Sequence, residues 1–344
     1  MLPDFIVPKA NLTAHNTLGL SASAERFARI ETREQLAALA QHPDLIGQRC
    51  FMLGEGSNLV LTGDFPGLIL KMALKGRAWA GEDDDFHYVT AAAGENWHDF
   101  TQWTLQNGYP GLENLSLIPG TVGAAPIQNI GAYGAEIKDF LHELEAFDLT
   151  SGEIRHFSAA DCKLAYRTSI FKQEGWHLSG RYAILRVLFR LPKRWQPRTG
   201  YGEIEAHLEV RGIQSPTPQQ LAETVIRIRR AKLPDPAKLP NAGSFFQNPV
   251  VAAELAAALT GVHPGLPVYP QADGKVKLAA GWLIEKTGWK GRNLGAVGMH
   301  EAQALVLVNR GGARFADVQN LARAVREAVF ARFGIHLEPE PIFL

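Results

Sequence analysis

The chain has 344 residues, of which 46% are hydrophobic and 20% are charged, a composition typical of a globular protein with two or three domains. Lysine plus arginine and aspartate plus glutamate number 35 each, so the formal net charge is zero. This balance argues against nucleic-acid binding, which requires a basic excess. The zero net charge is still compatible with a local basic pocket that binds a phosphorylated small molecule.

The cysteines and the N-terminal segment indicate where the protein works. Cys50 and Cys162 lie far apart and form no CxxC motif, so neither a disulfide framework nor a zinc knuckle is indicated. Residues 1–17 contain Asp4 and two prolines where a signal peptide needs an apolar run. No later segment approaches about eighteen consecutive apolar residues. We therefore expect a cytoplasmic protein without a membrane partner.

The first part of the chain shows helix and strand signals in alternation. Thr32 and Gln35 have the spacing of a capping box, so a helix is predicted to begin there. A second helix is predicted over residues 96–108 from the spacing of their aromatic residues. Apolar segments predict strands at residues 50–53, 67–72 and 88–93.

Later elements follow from the same kinds of signal. Thr217, Pro218 and Gln220 combine an N-cap, a proline at the first helical position and a capping box, which predicts a helix that ends near Lys232. A long amphipathic helix is predicted over residues 315–333, which precede a glycine. Strands are predicted at residues 144–149 and 154–157, which flank a turn, and at 182–191 and 303–309.

Proline residues mark a boundary and the end of the chain. Residues 233–236 contain Pro234 and Pro236 and cannot continue the preceding helix, so they are the best candidate for a domain boundary. The last ten residues contain Pro339 and Pro341, which favour an extended segment. This segment is expected to return to an earlier domain.

Two glycine-rich segments stand out because they carry so little side-chain bulk. Residues 118–134 hold four glycines and two prolines but no formal charge, and residues 54–58 are similar. Glycine accepts positive φ, so such segments let backbone N–H groups curl around an oxygen-rich anion. We expect the two segments to face each other across a long phosphate-bearing ligand.

Several standard site motifs are absent from the sequence. No GxGxxG follows a strand and no GxxxxGK[ST] occurs, which excludes the dinucleotide Rossmann fingerprint and the Walker loop. His142 and His300 are each followed by glutamate, as in a zincin motif, but Ala146 and Ala304 occupy the position of the second histidine. We therefore expect no metal site.

Three clusters could carry chemistry, and each has a plainer alternative. Arg167, among the hydroxyl groups of residues 166–169, suits a carboxylate, because guanidinium donates two parallel hydrogen bonds, but could also lie on a solvated turn. Ser244 follows a glycine and could donate a proton to a carbanion or close a turn. Glu338 and Glu340 could polarise a substrate or simply be solvated.

Six motifs in order resemble one family, the flavin-dependent UDP-N-acetylenolpyruvoylglucosamine reductases of bacterial peptidoglycan synthesis. The resemblance runs from about Asn16 to the last residue and favours the functional reading of the three clusters. The motifs are LGEGSN at 53–58, IPGTVGAAPIQNIGAYG at 118–134, YRTSIF at 166–171, KLPDP at 232–236, NAGSFFQNP at 241–249 and LEPE at 337–340.

The resemblance implies an α+β protein with a vanillyl-alcohol-oxidase-like FAD-binding fold of two subdomains and a separate α+β substrate-binding domain. The first FAD-binding subdomain is expected at 1–70, with 335–344 returning to it, and the second at 71–231. The substrate-binding domain is expected at 232–334.

The resemblance also implies which residues hold FAD. The backbone of Ile184 is expected to pair with the flavin edge, and Arg167 to lie at the flavin. The other expected FAD contacts are Gly54, Glu55, Gly56, Ser57, Asn58, Pro119, Gly120, Thr121, Gly123, Ala124, Asn129, Gly131 and Tyr133.

The family's reaction assigns three catalytic residues. NADPH is expected to deliver hydride to the flavin and leave, after which the enolpyruvyl ether of UDP-N-acetylglucosamine binds in the same cleft and receives it. Arg167 and Glu340 match the residues that stabilise the developing charge, and Ser244 matches the proton donor. The product is UDP-N-acetylmuramate, which ties the protein to cell-wall biogenesis, cell shape and cell division.

The substrate contacts are likewise implied by the resemblance. Tyr201 looks like the tyrosine of a mobile loop that closes over the diphosphate in type I members, with glycines on either side. The other expected substrate contacts are Tyr166, Arg229, Lys232, Asn248, Tyr269 and Gln303.

The sequence departs from the family pattern at Ile342, where a basic residue is expected two positions after the catalytic glutamate. Two other functions stay open at this point: an FAD oxidoreductase of the same fold with another substrate, and a nucleotide-binding scaffold that has lost catalysis. Tyr201, Lys232 and Asn248 argue against the first. We expect a monomer with UDP-N-acetylglucosamine enolpyruvate and NADPH as its partners.

Overall fold

The computed structural model describes residues 3–42, 45 and 49–344. These residues form two compact units, each built from three separate stretches of chain. The first unit comprises Met1–Ala10, Ser23–Glu55 and Phe65–Arg229, and the second comprises Asn11–Ala22, Gly56–Asp64 and Arg230–Leu344. Within the described ranges, no helix combines the length and the hydropathy needed to cross a bilayer. The expected three-domain division stays a prediction.

The described residues form a mixture of helices and strands. The helices are α1 (Arg33–Ala40), α2 (Trp97–Gln106), α3 (Ile170–Gln173), α4 (Trp176–Ser179), α5 (Gly202–Val210), α6 (Pro218–Lys232), α7 (Ala253–Val262), α8 (Ala280–Lys286) and α9 (Phe315–Phe333). The strands are β1 (Ile6–Asn11), β2 (Ser23–Ile30), β3 (Cys50–Leu53), β4 (Leu59–Val60), β5 (Phe65–Met72), β6 (Arg77–Glu82), β7 (Phe86–Ala92), β8 (Gly131–Ala132), β9 (Ala135–Glu136), β10 (Leu141–Asp148), β11 (Glu153–Ser158), β12 (Tyr182–Pro192), β13 (Asn241–Ser244), β14 (Val250–Val251), β15 (Val268–Pro270), β16 (Val276–Leu278), β17 (Asn293–Leu294), β18 (Val297–Met299), β19 (Val306–Asn309) and β20 (Ile342–Phe343).

The first sheet of the first unit has the order β1-β2-β5-β3, with β2 and β3 both parallel to β5. Leu36 and Leu39 of α1 belong to the same buried apolar cluster as residues of β2, β3 and β5. The predicted capping box of α1 is confirmed, since the Gln35 N–H donates to Thr32 Oγ1 at 3.4 Å and the Thr32 N–H donates to Gln35 Oε1 at 3.1 Å. Strand β3 has the predicted bounds.

The second sheet of the first unit is antiparallel, with the order β11-β10-β12-β7-β6. Its core contains Trp97 and Phe100 of α2 and Phe189 of β12, all of which are fully buried. The three aromatic rings pack on one another. The predicted hairpin is confirmed as β10 and β11. Helix α2 begins one residue later than predicted, with Asn96 as its N-cap.

Helices α5 and α6 add a small apolar cluster to the first unit. Ile204 and Leu208 pack with Leu221 and Val225 there. Helix α6 begins as predicted, because Thr217 Oγ1 accepts the Gln220 N–H at 3.2 Å while Gln220 Oε1 accepts the Thr217 N–H at 2.9 Å. Its last residue is Lys232, as predicted.

The second unit contains two short antiparallel sheets, ordered β13-β19-β18-β17 and β14-β16-β15, and the parallel pair β20-β4. Helix α9 has the predicted bounds and ends at Gly334, whose φ is 67°. The strand predicted at 303–309 begins at Val306 instead. Gln303 accepts the Leu305 N–H through Oε1 at 3.3 Å, so this side chain closes a turn before the strand.

Candidate active site

The glycine-rich segment 118–134 of the first unit starts with a bend and a turn whose backbone is hydrogen-bonded to residues 93–97. The Gly120 carbonyl accepts the Trp97 N–H at 3.0 Å, and the Gly123 N–H donates to the Ala93 carbonyl at 2.9 Å. A Cβ on Gly123 would lie 2.5 Å from the Cβ of Ala93. Close approach of two backbones therefore requires glycine at position 123.

Gly54 and Glu55 lie directly against this segment, and the expectation that the two segments face each other across a ligand stays a prediction. A Cβ on Gly54 would lie 3.0 Å from Thr121 Oγ1 and 3.2 Å from the Cβ of Ala124. The Glu55 carboxylate accepts the Gly120 N–H at 3.0 Å through Oε2. The first two residues of segment 54–58 and the start of segment 118–134 therefore form one surface of the first unit.

The other end of segment 118–134 contacts the turn that carries Arg167. Asn129 donates Nδ2 to the Ala165 carbonyl at 3.0 Å, and Ser169 donates Oγ to the Ile127 carbonyl at 2.5 Å. Arg167 has a φ of 53° and donates Nη2 to the Gly131 carbonyl at 3.2 Å. The guanidinium therefore lies on the glycine-rich segment rather than on a solvated turn.

Tyr133 connects the end of this segment to two predicted substrate residues. The guanidinium of Arg229 donates Nε to the Leu117 carbonyl at 3.2 Å. Burial lowers the pKa of Arg229, and the charge and hydrogen bond of Tyr133 oppose that shift. The ring of Tyr201 meets that of Tyr133 edge to face, with centroids 6.0 Å apart. Tyr201 is 40% exposed, so part of this residue is accessible to solvent.

The chain that leads to Tyr201 is held by hydrogen bonds of three side chains that the sequence did not identify. Trp195 donates Nε1 to Glu113 Oε1 at 2.6 Å. The Asn114 amide donates to the carbonyls of Tyr133 at 2.8 Å and Arg198 at 2.9 Å. One buried amide thus connects the glycine-rich segment to the chain three residues before Tyr201.

Two other predicted residues have the following positions in the first unit. Ile184 is buried in β12 opposite Ala146, next to a register shift. Leu185 beside it accepts the Ala93 N–H at 2.8 Å. The Tyr166 ring lies 5.2 Å from the Arg167 guanidinium carbon. Backbone contact between Ile184 and a flavin stays a prediction.

In the second unit, Ser244 and Glu340 lie on adjacent segments. Ser244 ends β13 and follows Gly243, whose φ is 71°. The Phe245 carbonyl accepts the Glu340 N–H at 2.9 Å, and Phe246 forms an isolated bridge with Pro339. The segment of the predicted proton donor therefore runs beside that of the predicted acid.

Residues 56–58 also belong to the second unit and lie beside the Glu340 segment. Gly56 has a φ of 70°, and a side chain there would collide with the His15 carbonyl. Asn58 donates Nδ2 to the Glu340 carbonyl at 3.4 Å and accepts the Ile342 N–H at 3.0 Å. Ile342, at the position where a basic residue was expected, thus supplies a strand contact.

Two predicted substrate residues of the second unit converge on the start of α8. Asn248 Oδ1 accepts the Ala280 N–H at 2.9 Å, and a Cβ on Gly281 would lie 3.2 Å from Gln303 Oε1. Tyr269 lies on β15, is 38% exposed, and has the Lys277 ammonium 5.7 Å from its ring centroid. Within the described ranges, no three His, Cys, Asp or Glu side chains are grouped so as to hold a metal ion.

Comparisons with known proteins find matches over nearly the whole chain. Residues 24–158 match the family model described as an FAD binding domain, and residues 235–344 match the C-terminal domain of UDP-N-acetylenolpyruvoylglucosamine reductase. The reductase of Dechloromonas aromatica (strain RCB) is 57% identical over 334 residues, which are 97% of this chain and 98% of that protein. The reductase of Azoarcus sp. (strain BH72) is 54% identical over 346 residues, or 99% of each chain.

A solved structure supports the same fold. The crystal structure of UDP-N-acetylenolpyruvylglucosamine reductase from Thermus caldophilus superimposes with a TM-score of 0.67 at 26% sequence identity. The alignment covers 98% of this chain and 97% of the other. The predicted fold class, α+β with an FAD-binding domain, is confirmed.

Proposed function

Because the chain belongs to the UDP-N-acetylenolpyruvoylglucosamine reductase family, we propose that it reduces the enolpyruvyl ether of UDP-N-acetylglucosamine to UDP-N-acetylmuramate in peptidoglycan synthesis. It is an FAD-dependent oxidoreductase with NADPH as the co-substrate. The observation that carries this conclusion is the 57% identity over 97% of the chain, since it spans both units.

The residues of the first unit fit an FAD. Segment 118–134 has no charged side chain, and its glycines allow a ligand to approach the backbone closely. Positive φ at Gly120 and Tyr133 turns the backbone at both ends of this segment. Gly54, Gly120, Thr121, Gly131 and Tyr133 are the residues that would hold the cofactor there. Ser57 and Asn58 stay predicted FAD contacts. When bound, FAD supplies hydride transfer between NADPH and the vinyl ether.

The catalytic residues act on the carbon next to the one that receives hydride. Addition at the vinyl terminus leaves an electron pair on this carbon, and conjugation spreads the charge into the carboxylate. Arg167 would stabilise that charge by donating N–H hydrogen bonds to the carboxylate, and Glu340 would do so in its protonated form by donating its O–H. The Ser244 hydroxyl then donates its proton to the carbon, which completes the saturated lactyl ether. The hydroxyl suffices although it is a weak acid, because the enolate is strongly basic.

Cationic and aromatic residues would hold the nucleotide part of the substrate. The guanidinium of Arg229 and the ammonium of Lys232 suit the diphosphate. Tyr201 would close over it, supported by its contact with Tyr133 and by the exposure of its ring. The remaining proposed contacts are Tyr166, Asn248, Tyr269 and Gln303.

Substitution of Ser244 separates this function from its alternatives. In Ser244→Ala we expect NADPH to bleach the flavin absorbance as in the wild type, while reoxidation by the enolpyruvyl substrate slows about 10³-fold. Ser215→Ala, in an exposed turn, is the matched control and should reoxidise normally. Normal reoxidation in Ser244→Ala would refute the proton-donor role.

The wild type distinguishes the remaining possibilities. Purified protein that binds no FAD would exclude the reductase function. FAD reduced by NADPH but not reoxidised by the enolpyruvyl UDP-sugar would indicate an oxidoreductase with another substrate. Nucleotide binding without any turnover would indicate a scaffold.

We further propose that the enzyme works in the cytoplasm as a monomer, without nucleic-acid or membrane partners. The zero net charge and the two unpaired buried cysteines support this setting. Its product would contribute to cell shape and division through the cell wall. Sedimentation of the holoenzyme at micromolar concentration tests the oligomeric state, and a dimer mass would contradict the proposal.

A further inference from the structure

The Glu55 side chain connects residues 54 and 55 to the start of segment 118–134 within the first unit. Its Oε2 accepts the Gly120 N–H at 3.0 Å, and its Oε1 accepts Asn96 Nδ2 at 2.8 Å. The Gly120 carbonyl in turn accepts the Trp97 N–H at 3.0 Å. Both polar backbone groups of Gly120 are therefore fixed, although its φ of 124° is one that other residues rarely adopt.

Asn96 extends this junction to helix α2. While its amide nitrogen donates to Glu55, its Oδ1 accepts the Asp99 N–H at 3.0 Å and caps the helix. The Glu55 carboxylate is thus hydrogen-bonded both to the start of segment 118–134 and to a rigid helix terminus. A carboxylate that accepts N–H groups in this way holds them more strongly than a neutral acceptor would.

Lys71 supplies the opposite charge. The pairing of β3 with β5 puts Lys71 opposite Leu53, at the point where the chain enters Gly54. Its ammonium group donates to the Gly54 carbonyl. Burial lowers the pKa of Lys71, and the negative charge of Glu55 opposes that shift. The Lys71 ammonium therefore fixes the carbonyl of Gly54, next to the residue whose carboxylate fixes Gly120.

A carboxylate beside a pyrophosphate site repels the ligand unless it is neutralised and otherwise engaged. Glu55 is engaged in this way, because N–H groups occupy both of its oxygens, and the Lys71 ammonium group is hydrogen-bonded to the carbonyl of the preceding residue, Gly54. We propose that Glu55 and Lys71 form a latch that holds Gly54 and Gly120 in the geometry that binds FAD. Both are positioning residues, and Glu55 acts through the backbone rather than by touching the cofactor.

This inference rests on the proposed FAD binding, but its structural part does not need the cofactor. Glu55→Gln keeps the size of the side chain and retains only one acceptor oxygen for two N–H donors. Lys71→Met removes the charge at similar length. Lys75→Met is the matched control, because Lys75 also donates to a backbone carbonyl, that of Gly94 at 2.5 Å, but is exposed.

Two measurements on the full-length protein test the latch. Hydrogen exchange of the peptide that contains Gly120 should accelerate about tenfold in Glu55→Gln and in Lys71→Met. The dissociation constant of FAD, measured by quenching of flavin fluorescence, should rise about tenfold to a hundredfold in both variants. Lys75→Met should change neither quantity. The dissociation constant of FAD in the double variant, with both Glu55→Gln and Lys71→Met, should rise by less than the product of the two single increases.

Each contrary result overturns a defined part of the reasoning. Weaker FAD binding in Glu55→Gln with unchanged exchange at Gly120 would mean that Glu55 contacts the cofactor directly, and the latch would be wrong. Unchanged exchange and affinity would also refute it. If Glu55→Gln fails to fold, Lys71→Met decides by the same criteria. A wild type that binds no FAD refutes the proposed function, while the exchange data still decide the structural part.

Discussion

Gly123→Ala tests whether close approach between two backbone segments shapes the cofactor site. The added Cβ would lie 2.5 Å from the Cβ, 2.9 Å from the Cα and 3.1 Å from the carbonyl oxygen of Ala93. The segments cannot separate freely, because the Gly123 N–H donates to that same carbonyl at 2.9 Å. Overpacking costs about 1–3 kcal/mol, and a stretched buried hydrogen bond about 1 kcal/mol more. We therefore expect the free energy of unfolding to fall by about 3 kcal/mol.

Calorimetric unfolding of the holoenzyme measures this loss. Gly261→Ala is the control, since no atom lies within 4 Å of the added Cβ and the residue is in helix α7. That control should gain up to about 0.5–1 kcal/mol. Ala93→Gly should partly rescue Gly123→Ala, because it removes the nearest contact. Wild-type stability in Gly123→Ala would refute the steric reasoning.

Three further predictions concern other sites. The Asp148 carboxylate is buried, which opposes ionisation, but hydrogen bonds from Arg181 at 3.2 and 3.1 Å help to hold its pKa below the ordinary value. The ionised Asp148 carboxylate stabilises the folded state fully above the ordinary aspartate pKa. This stabilisation is lost as the pH falls through the lower pKa that Asp148 has in the folded protein. In urea unfolding at pH 7, Asp148→Asn should therefore lower the free energy of unfolding by about 2 kcal/mol. The difference in free energy between the variant and the wild type should become smaller in acid. Burial raises the pKa of Cys50 and Cys162 to about 12, so neither should react with a thiol reagent at pH 8 until urea unfolds the chain; rapid labelling of native protein would contradict this. Gly334→Ala should cost about 1 kcal/mol in thermal unfolding, because φ there is 67°, and an unchanged midpoint would argue against strain.

Elements with a local signal were predicted well from the sequence. The capping boxes at Thr32 and Thr217 and the glycine after α9 depend only on residues a few positions apart, so their signals survive whatever the tertiary fold is. Strands β2 and β6 were not predicted. Strand β6 is largely exposed and contains the half-exposed Trp79, so it has no apolar alternation from which a strand could be read.

The site residues divide in the same way. Arg167, Ser244 and Glu340 stand in motifs that resemble the family, so they could be proposed as catalytic residues without knowledge of the fold. Lys71 and Asn114 stand in no such motif. The contact of Lys71 with Gly54 arises from the register of β3 on β5, and Asn114 contacts a carbonyl 84 positions away. Such partners become visible only when strand register and loop paths are known.

The pairing of β20 with β4 has a consequence for the order in which the protein folds. Asn58 contacts Glu340 across 282 positions of chain, and Thr62 contacts Leu344 across the same separation. During synthesis, Asn58 and Thr62 have these partners only once residues 340–344 have emerged. Contacts of such high sequence separation form late, because loop closure must precede them. The second unit, with the predicted acid of the reaction, should therefore mature only after residues 340–344 have been synthesised.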